Sequence, residues 1–174
     1  MYFFSNIFHA YTKRDQVSNG RNKNNNRATG YLDTNYQGKA DAALNALKTQ
    51  DFALVHVEAP DEAGHQGSVP DKVQAIEDFD AKITAPIVEE MDRRGEAYRL
   101  VVTMDHYTPL ARRTHEDWPV PMFIYDSRGV DRPAKIDYTE ENIKEAVERN
   151  GLHLGSGAEF FVRFIQSKTG EGNG

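Results

Sequence analysis

The stretch DFALVHVEAPDEAGH, residues 51–65, joins an apolar segment to a pair of chemically reactive side chains. Its first part, FALVHVE (52–58), is a continuous apolar run of strand length, the pattern of a central strand in a parallel sheet. The second part is interpreted as a loop in which Asp61 and His65 stand four positions apart. The stretch therefore predicts a buried strand that ends at a polar site.

Helical and strand patterns alternate along the rest of the chain. Ser68 can cap a long helix that ends near Gly95, and Pro86 should bend or break this helix because proline lacks a backbone donor. Further helices are predicted at 38–48, 139–151 and 157–168, and further strands at 98–104 and 121–126. Helices that alternate with uniformly apolar strands predict an α/β fold, with a mostly parallel sheet and helices on both faces.

The chain has 174 residues, which is enough for one domain with its own core. The stretch 12–29 differs from the rest, because it holds one branched aliphatic side chain, Val17, among asparagine and basic residues. Such a stretch buries too little apolar area to offset its ordering entropy. We therefore expect an atypical, disordered leader at 1–28 and a folded part at 29–174.

The formal net charge of −6 argues against nucleic acid or an anionic membrane as the main partner. No apolar run approaches the roughly 20 residues that a membrane helix needs, and no signal-peptide cleavage site follows the first residues. The chain has no cysteine, which excludes disulfides and thiolate ligands and fits a reducing compartment. These features together predict a cytoplasmic protein.

Three polar clusters are predicted to lie at the carboxyl ends of strands, where open α/β sheets bind their ligands. Asp61 and His65 follow the first apolar run, Asp105 and His106 follow the second, and His115 lies in the loop before the third. Each signal is weak alone, because D-x-x-x-H spacing arises often by chance, Asp105 could cap a helix and His115 could be a solvated loop residue. Their combined donors suit Mn²⁺, Zn²⁺, Co²⁺ or Fe²⁺ better than Ca²⁺.

Other polar residues near these clusters have two interpretations each. His56 is either a hydrogen-bonded core histidine or a support for a metal ligand, and Glu58 either orients a ligand or ends the strand. The neighbouring Arg112 and Arg113 either bind a phosphate through their guanidinium groups or form a solvated pair. His153 has no partner pattern and is interpreted as structural.

Three stretches together resemble the archaeal-type, cofactor-independent phosphoglycerate mutases of the alkaline phosphatase superfamily: TGYLDTNYQGKADAAL (29–44), DFALVHVEAPDEAGHQG (51–67) and VVTMDHYTPLARRTHEDWPVPMFIY (101–125). The resemblance implies an alkaline phosphatase-like fold and two divalent metal ions. Mn²⁺ is expected first, with Mg²⁺, Zn²⁺ and Co²⁺ as alternatives. By the matching motifs, one ion would be held by Asp61, His65 and His115. The other would be held by Asp105 and His106.

That family interconverts 2-phosphoglycerate and 3-phosphoglycerate through a phosphoserine. Its serine nucleophile, a further Asp ligand and its substrate-gripping arginines come before the TGYLDTNY region, and no serine of this chain stands in a matching motif. The resemblance therefore implies that 29–174 is the C-terminal part of such an enzyme and lacks the nucleophile. Its expected partners are a phosphoglycerate substrate and a missing N-terminal half of the enzyme. Two alternatives stay open: a metal-dependent phosphohydrolase of the same superfamily, and a non-catalytic half of a split enzyme.

Overall fold

The computed structural model describes residues 32–129, 139–150 and 153–166, and the leader expected at 1–28 lies outside them. The elements of the described residues are α1 (Tyr36–Ala46), α2 (Ala59–Gln66), α3 (Val69–Phe79), a π-helical turn (Asp80–Thr84), α4 (Ala85–Arg94), β1 (Arg99–Thr103), β2 (Met122–Asp126), α5 (Glu140–Asn150) and α6 (Gly157–Gln166). This mixture of helices and strands agrees with the expected α/β composition. In this part of the chain, no helix is long and apolar enough to cross a membrane.

Four helices begin where the sequence supplies a capping side chain. Asn35 accepts a hydrogen bond from a backbone N–H of α1 at 2.9 Å, and Ser68 accepts one from α3 at 3.4 Å, as predicted. Thr139 and Ser156 start α5 and α6 in the same way. These bonds satisfy backbone donors that have no partner within the first helical turn. The three shorter predicted helices are confirmed to within two residues at each end.

Pro86 interrupts the long helix that was predicted to end near Gly95. Just before the proline, the Ala85 N–H bonds the Asp80 carbonyl five residues back, which makes one wide π-helical turn. The proline has no N–H, so the ordinary bond to the carbonyl four residues earlier cannot form there. The helix then continues as α4 and ends at Gly95, whose φ of 67° closes it.

The hydrophobic core lies between α1, α3 with its π-helical turn, and the extended segment that leads into α2. Its buried side chains are Tyr36, Ala40, Ala43, Val55, Val57, Ala59, Ala75, Phe79 and Ile83. Because four of these nine are alanines, the backbones approach closely and pack densely. This packing fixes the start of α2, the helix that carries the first polar pair.

The strand predicted at 52–58 is not formed in the described residues. The segment is extended, but only Val57 takes part in a β-bridge before α2 begins at Ala59. The apolar run correctly indicates burial, since Val55 and Val57 belong to the core. A strand also needs a ladder of hydrogen bonds to a neighbour, and an apolar run carries no information about such a partner.

The sheet of the described residues consists of β1 and β2, within the ranges 98–104 and 121–126 that the sequence predicted. The two strands run antiparallel, with Arg99 opposite Asp126. The parallel order expected for the sheet is therefore not observed in this pair. One face of the pair is open, because Ile124 is 43% exposed, and antiparallel pairs commonly leave one face toward water.

Asp126 holds the two strands and the following turn together. Its carboxylate accepts hydrogen bonds from Arg99 Nε at 2.9 Å, Arg128 Nε at 2.8 Å and the Arg128 backbone N–H at 3.0 Å. The Asp126 side chain is only 7% exposed, so these bonds are shielded from water. The hydrogen bonds from Arg128, with a smaller contribution from Arg99, hold the pKa of this carboxyl well below its usual range.

We expect Asp126→Asn to lower the free energy of unfolding by about 2–4 kcal/mol near neutral pH, because an amide leaves two guanidinium groups without a charged acceptor. The carboxylate's contribution should be present above its unfolded-state pKa of about 4 and fade below it, since the folded-state pKa is depressed. Urea unfolding of both proteins over a pH series measures these effects. A difference that does not shrink in acid would contradict this account.

Candidate metal centre

Asp61 and His65 lie on a helix rather than in the predicted loop. Helix α2 has Pro60 in its first turn, an acidic residue next to it, and Gly67 at its end with a φ of 72°. These are ordinary helix signals that the loop prediction overlooked. Residues four apart share one face of a helix, so α2 presents the carboxylate of Asp61 and the imidazole of His65 on the same side.

The structure brings Asp61, His65 and His115 together. His65 Nε2 lies 3.4 Å from Asp61 Oδ2 and 3.0 Å from His115 Nε2. The remaining separation, from His115 Nε2 to Asp61 Oδ1, is 3.5 Å. The three side chains are between 20% and 52% exposed, so the cluster opens to solvent. Tertiary packing thus joins α2 to the loop between β1 and β2, across 50 positions of sequence.

Asp105 and His106 lie beside these three residues, just after β1. His106 Nε2 is 3.0 Å from Asp105 Oδ2, and the His106 ring stacks on that of His115 with centroids 3.6 Å apart. Donor atoms of Asp61, His106 and His115 all lie within 4.8 Å of one another. The five residues predicted from the sequence, Asp61, His65, Asp105, His106 and His115, therefore form one continuous cluster.

A hydrogen bond decides which nitrogen of His65 faces the cluster. His65 Nδ1 lies 3.0 Å from the Arg113 carbonyl oxygen. A carbonyl can only accept, so Nδ1 carries a proton, and the neutral imidazole then offers the electron pair of Nε2 to a metal ion. Nε2 of His65 faces Nε2 of His115 at 3.0 Å, an arrangement that a shared cation would stabilise. Carboxylate oxygens and imidazole nitrogens at these separations fit a divalent ion.

Arg113 supports His65 through an uncommon backbone conformation. Its φ of 55° lies in the left-handed region, which residues other than glycine seldom adopt. Its carbonyl accepts the bond from His65, and its guanidinium lies over Gly67, where an added Cβ would overlap it. Gly67 at the end of α2 and Arg113 in the loop both have a left-handed backbone conformation. Their contact thus fixes the position of the helix relative to the loop.

Lys72 and Thr108 are the residues at this centre that the sequence patterns did not reveal. Both are fully buried: Lys72 Nζ donates to the Thr108 carbonyl at 2.7 Å, and the Thr108 hydroxyl donates to Asp61. Burial lowers the pKa of Lys72 to about 8, and the nearby Asp61 opposes this shift. The sequence did contain one signal, because Lys72 occupies the same buried helix face as Ala75 and Phe79.

The remaining polar residues near the cluster have structural partners. His56 Nδ1 lies 3.7 Å from Glu58 Oε1, and the His56 carbonyl accepts a hydrogen bond from Lys39 Nζ at 2.8 Å. Both His56 and Glu58 border a cavity of about 160 Å³ beside the cluster. Arg112 pairs with Glu116 and the Arg113 guanidinium lies beside Gly67, so the two adjacent arginines have separate structural contacts.

We expect Gly67→Ala to destabilise the protein more than Gly95→Ala, although both glycines end a helix with positive φ. Each alanine costs about 1 kcal/mol in the left-handed region. Only at Gly67 does the new Cβ meet the Arg113 guanidinium, since nothing lies within 4 Å of the corresponding position at Gly95. Urea unfolding should show losses of about 1 kcal/mol for Gly95→Ala and about 2 kcal/mol for Gly67→Ala. Equal losses would show that Arg113 moves aside freely.

Comparison with known proteins shows the family to which the chain belongs. The sequence-family model of the metalloenzyme superfamily matches residues 10–153 of this chain. The matched range begins within the segment that was expected to be a leader. The 2,3-bisphosphoglycerate-independent phosphoglycerate mutase of Methanosarcina acetivorans is 50% identical over 127 residues, which are 73% of this chain and 31% of that protein. The enzyme of the same name from Methanosarcina mazei is 45% identical over 140 residues, 80% of this chain and 34% of that protein.

A bacterial relative and a solved structure extend the comparison. The probable 2,3-bisphosphoglycerate-independent phosphoglycerate mutase of Geobacter sulfurreducens is 48% identical over 73% of this chain and 32% of its own length. The structure of the PH0037 protein from Pyrococcus horikoshii matches with a TM-score of 0.52 and 34% identity, over 56% of this chain and 29% of that one. The chain spans about a third of the length of the relatives that it matches. It belongs to the metalloenzyme superfamily, whose fold is alkaline phosphatase-like.

Proposed function

We propose that this chain carries the metal-binding part of a cofactor-independent phosphoglycerate mutase, which interconverts 2-phosphoglycerate and 3-phosphoglycerate. One observation carries the proposal: Asp61, His65 and His115 converge within 3.5 Å of one another in a chain that is 50% identical to a protein named as such a mutase. These three residues are proposed to hold one divalent ion. Asp105 and His106, on the side of the cluster nearest β1, are proposed to serve a second.

The residues of this chain would hold the ions and orient them. Asp61 offers a carboxylate oxygen beyond its bond to Thr108, and His65 and His115 offer their Nε2 atoms. When bound, divalent ions neutralise the charge of a transferring phosphoryl group and lower the pKa of an attacking hydroxyl. Because the side chains of His65 and His115 are 36% and 52% exposed, a small phosphorylated substrate can reach them from solvent.

The serine nucleophile is proposed to come from a segment outside this sequence. Within the described residues, the hydroxyls of Ser68, Ser127 and Ser156 accept hydrogen bonds from backbone N–H groups at helix starts or beside β1. By the family resemblance, the nucleophile and the substrate-binding arginines are expected ahead of the TGYLDTNY region, and the 127 matched residues make up only 31% of the Methanosarcina acetivorans relative. The active unit would combine such a segment with this chain.

Manganese is the ion that we propose first. Carboxylate oxygen and imidazole nitrogen in one donor set suit Mn²⁺, and Mg²⁺, Zn²⁺ and Co²⁺ are the alternatives that the same set accepts. A cytoplasmic location is part of the same proposal, since the substrate class is that of central sugar metabolism and the chain contains no cysteine.

The wild-type chain should bind Mn²⁺, and His65→Ala should weaken that binding by about 100-fold, because even changes behind the direct ligands typically cost 10–100-fold. Isothermal titration, together with loss of the free Mn²⁺ signal in electron paramagnetic resonance, measures the affinity. His153→Ala is the matched control, since His153 is an exposed histidine outside the Asp61, His106 and His115 group, and it should bind like wild type. A wild-type chain that binds none of Mn²⁺, Zn²⁺ and Co²⁺ would refute the proposal.

Mutase activity should require a complementing segment. Co-expression with the part of the Methanosarcina acetivorans relative that precedes the matched region should yield metal-dependent interconversion of the two phosphoglycerates, and His65→Ala should abolish it. This chain alone should show no conversion above background. Release of phosphate without isomerisation would instead favour the phosphohydrolase. A metal-loaded but inactive pair would favour a non-catalytic half.

A further inference from the structure

A polar cluster lies in the protein interior directly behind the candidate metal ligands. Thr108 and Lys72 are both 0% exposed, although residues of these types are mostly found at protein surfaces. Burying a hydroxyl or an ammonium group is unfavourable unless hydrogen bonds replace those to water. Two such residues in contact with each other therefore need a structural or functional reason.

The Thr108 hydroxyl connects the two parts of the site. It donates its proton to Asp61 Oδ1, because a carboxylate oxygen only accepts. The same oxygen lies 3.3 Å from His106 Nδ1, and since its proton is already used, it can only accept there. His106 Nδ1 therefore faces an accepting oxygen on Thr108, while His106 Nε2 lies 3.0 Å from the accepting carboxylate of Asp105.

The Thr108 backbone is held by a second anchor. Lys72 Nζ, from α3, donates to the Thr108 carbonyl at 2.7 Å. Gly64 on α2 makes room for this contact, because a Cβ at that position would lie 2.6 Å from the Thr108 carbonyl oxygen and 3.0 Å from Lys72 Nζ. The loop after β1 is thus docked against both helices of the α2–α3 pair through one threonine.

We propose that Thr108 is a positioning residue whose hydroxyl aligns Asp61 with the His106 ring, and that Lys72 holds Thr108 in the place this requires. The proposal rests on the metal site proposed above, because the two residues act through candidate ligands. The hydroxyl would couple the candidate ligands on α2 to those that follow β1, because its oxygen atom contacts a ligand in each group. Neither residue touches the ion or the substrate.

Two substitutions at Thr108 separate the hydroxyl from the methyl group. Thr108→Val keeps the shape of the side chain and removes the hydroxyl, whereas Thr108→Ser keeps the hydroxyl and removes the methyl group. We expect Thr108→Val to weaken Mn²⁺ binding by the full chain by about 10–100-fold, and Thr108→Ser to stay within about 3-fold of wild type. If both variants lose affinity equally, packing of the methyl group explains the effect and the proposal is overturned.

The stacking of the His106 ring on the His115 ring gives a readout that needs no metal. In proton NMR of the metal-free chain, wild type and Thr108→Ser should show nuclear Overhauser contacts between these two rings, whose centroids lie 3.6 Å apart. Thr108→Val should weaken the contacts, because the His106 ring loses the hydroxyl that positions it. Unchanged ring contacts in Thr108→Val would overturn the proposal, even if affinity falls. A wild-type chain with these ring contacts but without metal binding would refute the proposed function and leave this assignment standing.

Lys72→Met tests the second anchor without changing the hydroxyl. Methionine fills a similar volume but cannot donate to the Thr108 carbonyl, so it should change the His106–His115 ring contacts and the Mn²⁺ affinity in the same direction as Thr108→Val. Lys39→Met is the matched control, because Lys39 also donates to a backbone carbonyl, that of His56, at 2.8 Å. If Lys72→Met leaves both readouts unchanged, or if Lys39→Met changes them equally, the role assigned to Lys72 is wrong.

Discussion

The contact between α2 and the loop that follows β1 is the interaction on which the candidate site depends. Near one end of the eight-residue helix, Asp61 bonds the Thr108 hydroxyl, and near the other, His65 bonds the Arg113 carbonyl. The helix therefore cannot slide or rotate against the loop without breaking one of these bonds. Because of this docking, His115 reaches hydrogen-bond distance of a helix that lies 50 positions earlier in the chain.

Charged and polar groups are arranged in layers around this contact. The ammonium of Lys72 is buried innermost, the carboxylate of Asp61 comes next, and the imidazoles of His65 and His115 lie nearest to solvent. Burial lowers the pKa of Lys72 and attraction to Asp61 works in the opposite direction, so the carboxylate makes a buried cation tolerable there. The groups that can accept a cation are thereby left together on the open side of the molecule.

The clustering of the five candidate ligands could be predicted because each lies in a segment that follows or joins predicted strands and belongs to a residue type with metal-binding chemistry. The strand at 52–58 was predicted wrongly, since an apolar run reports burial and not hydrogen-bond pairing. The loop around Asp61 was predicted where a helix forms. Thr108 and Lys72 were missed because their roles depend on partners 47 and 36 positions away, at distances that no local pattern encodes.

By itself, the sequence determined which segments are buried, where capped helices start and which residue types are suited to a divalent ion. These properties depend on local pattern and on side-chain chemistry alone. Only the tertiary structure decided that β1 and β2 run antiparallel, that His65 presents Nε2, and that a buried threonine bonds a carboxylate on α2. Hydrogen bonds have direction, and the direction between residues far apart in sequence is set by how the elements pack against one another.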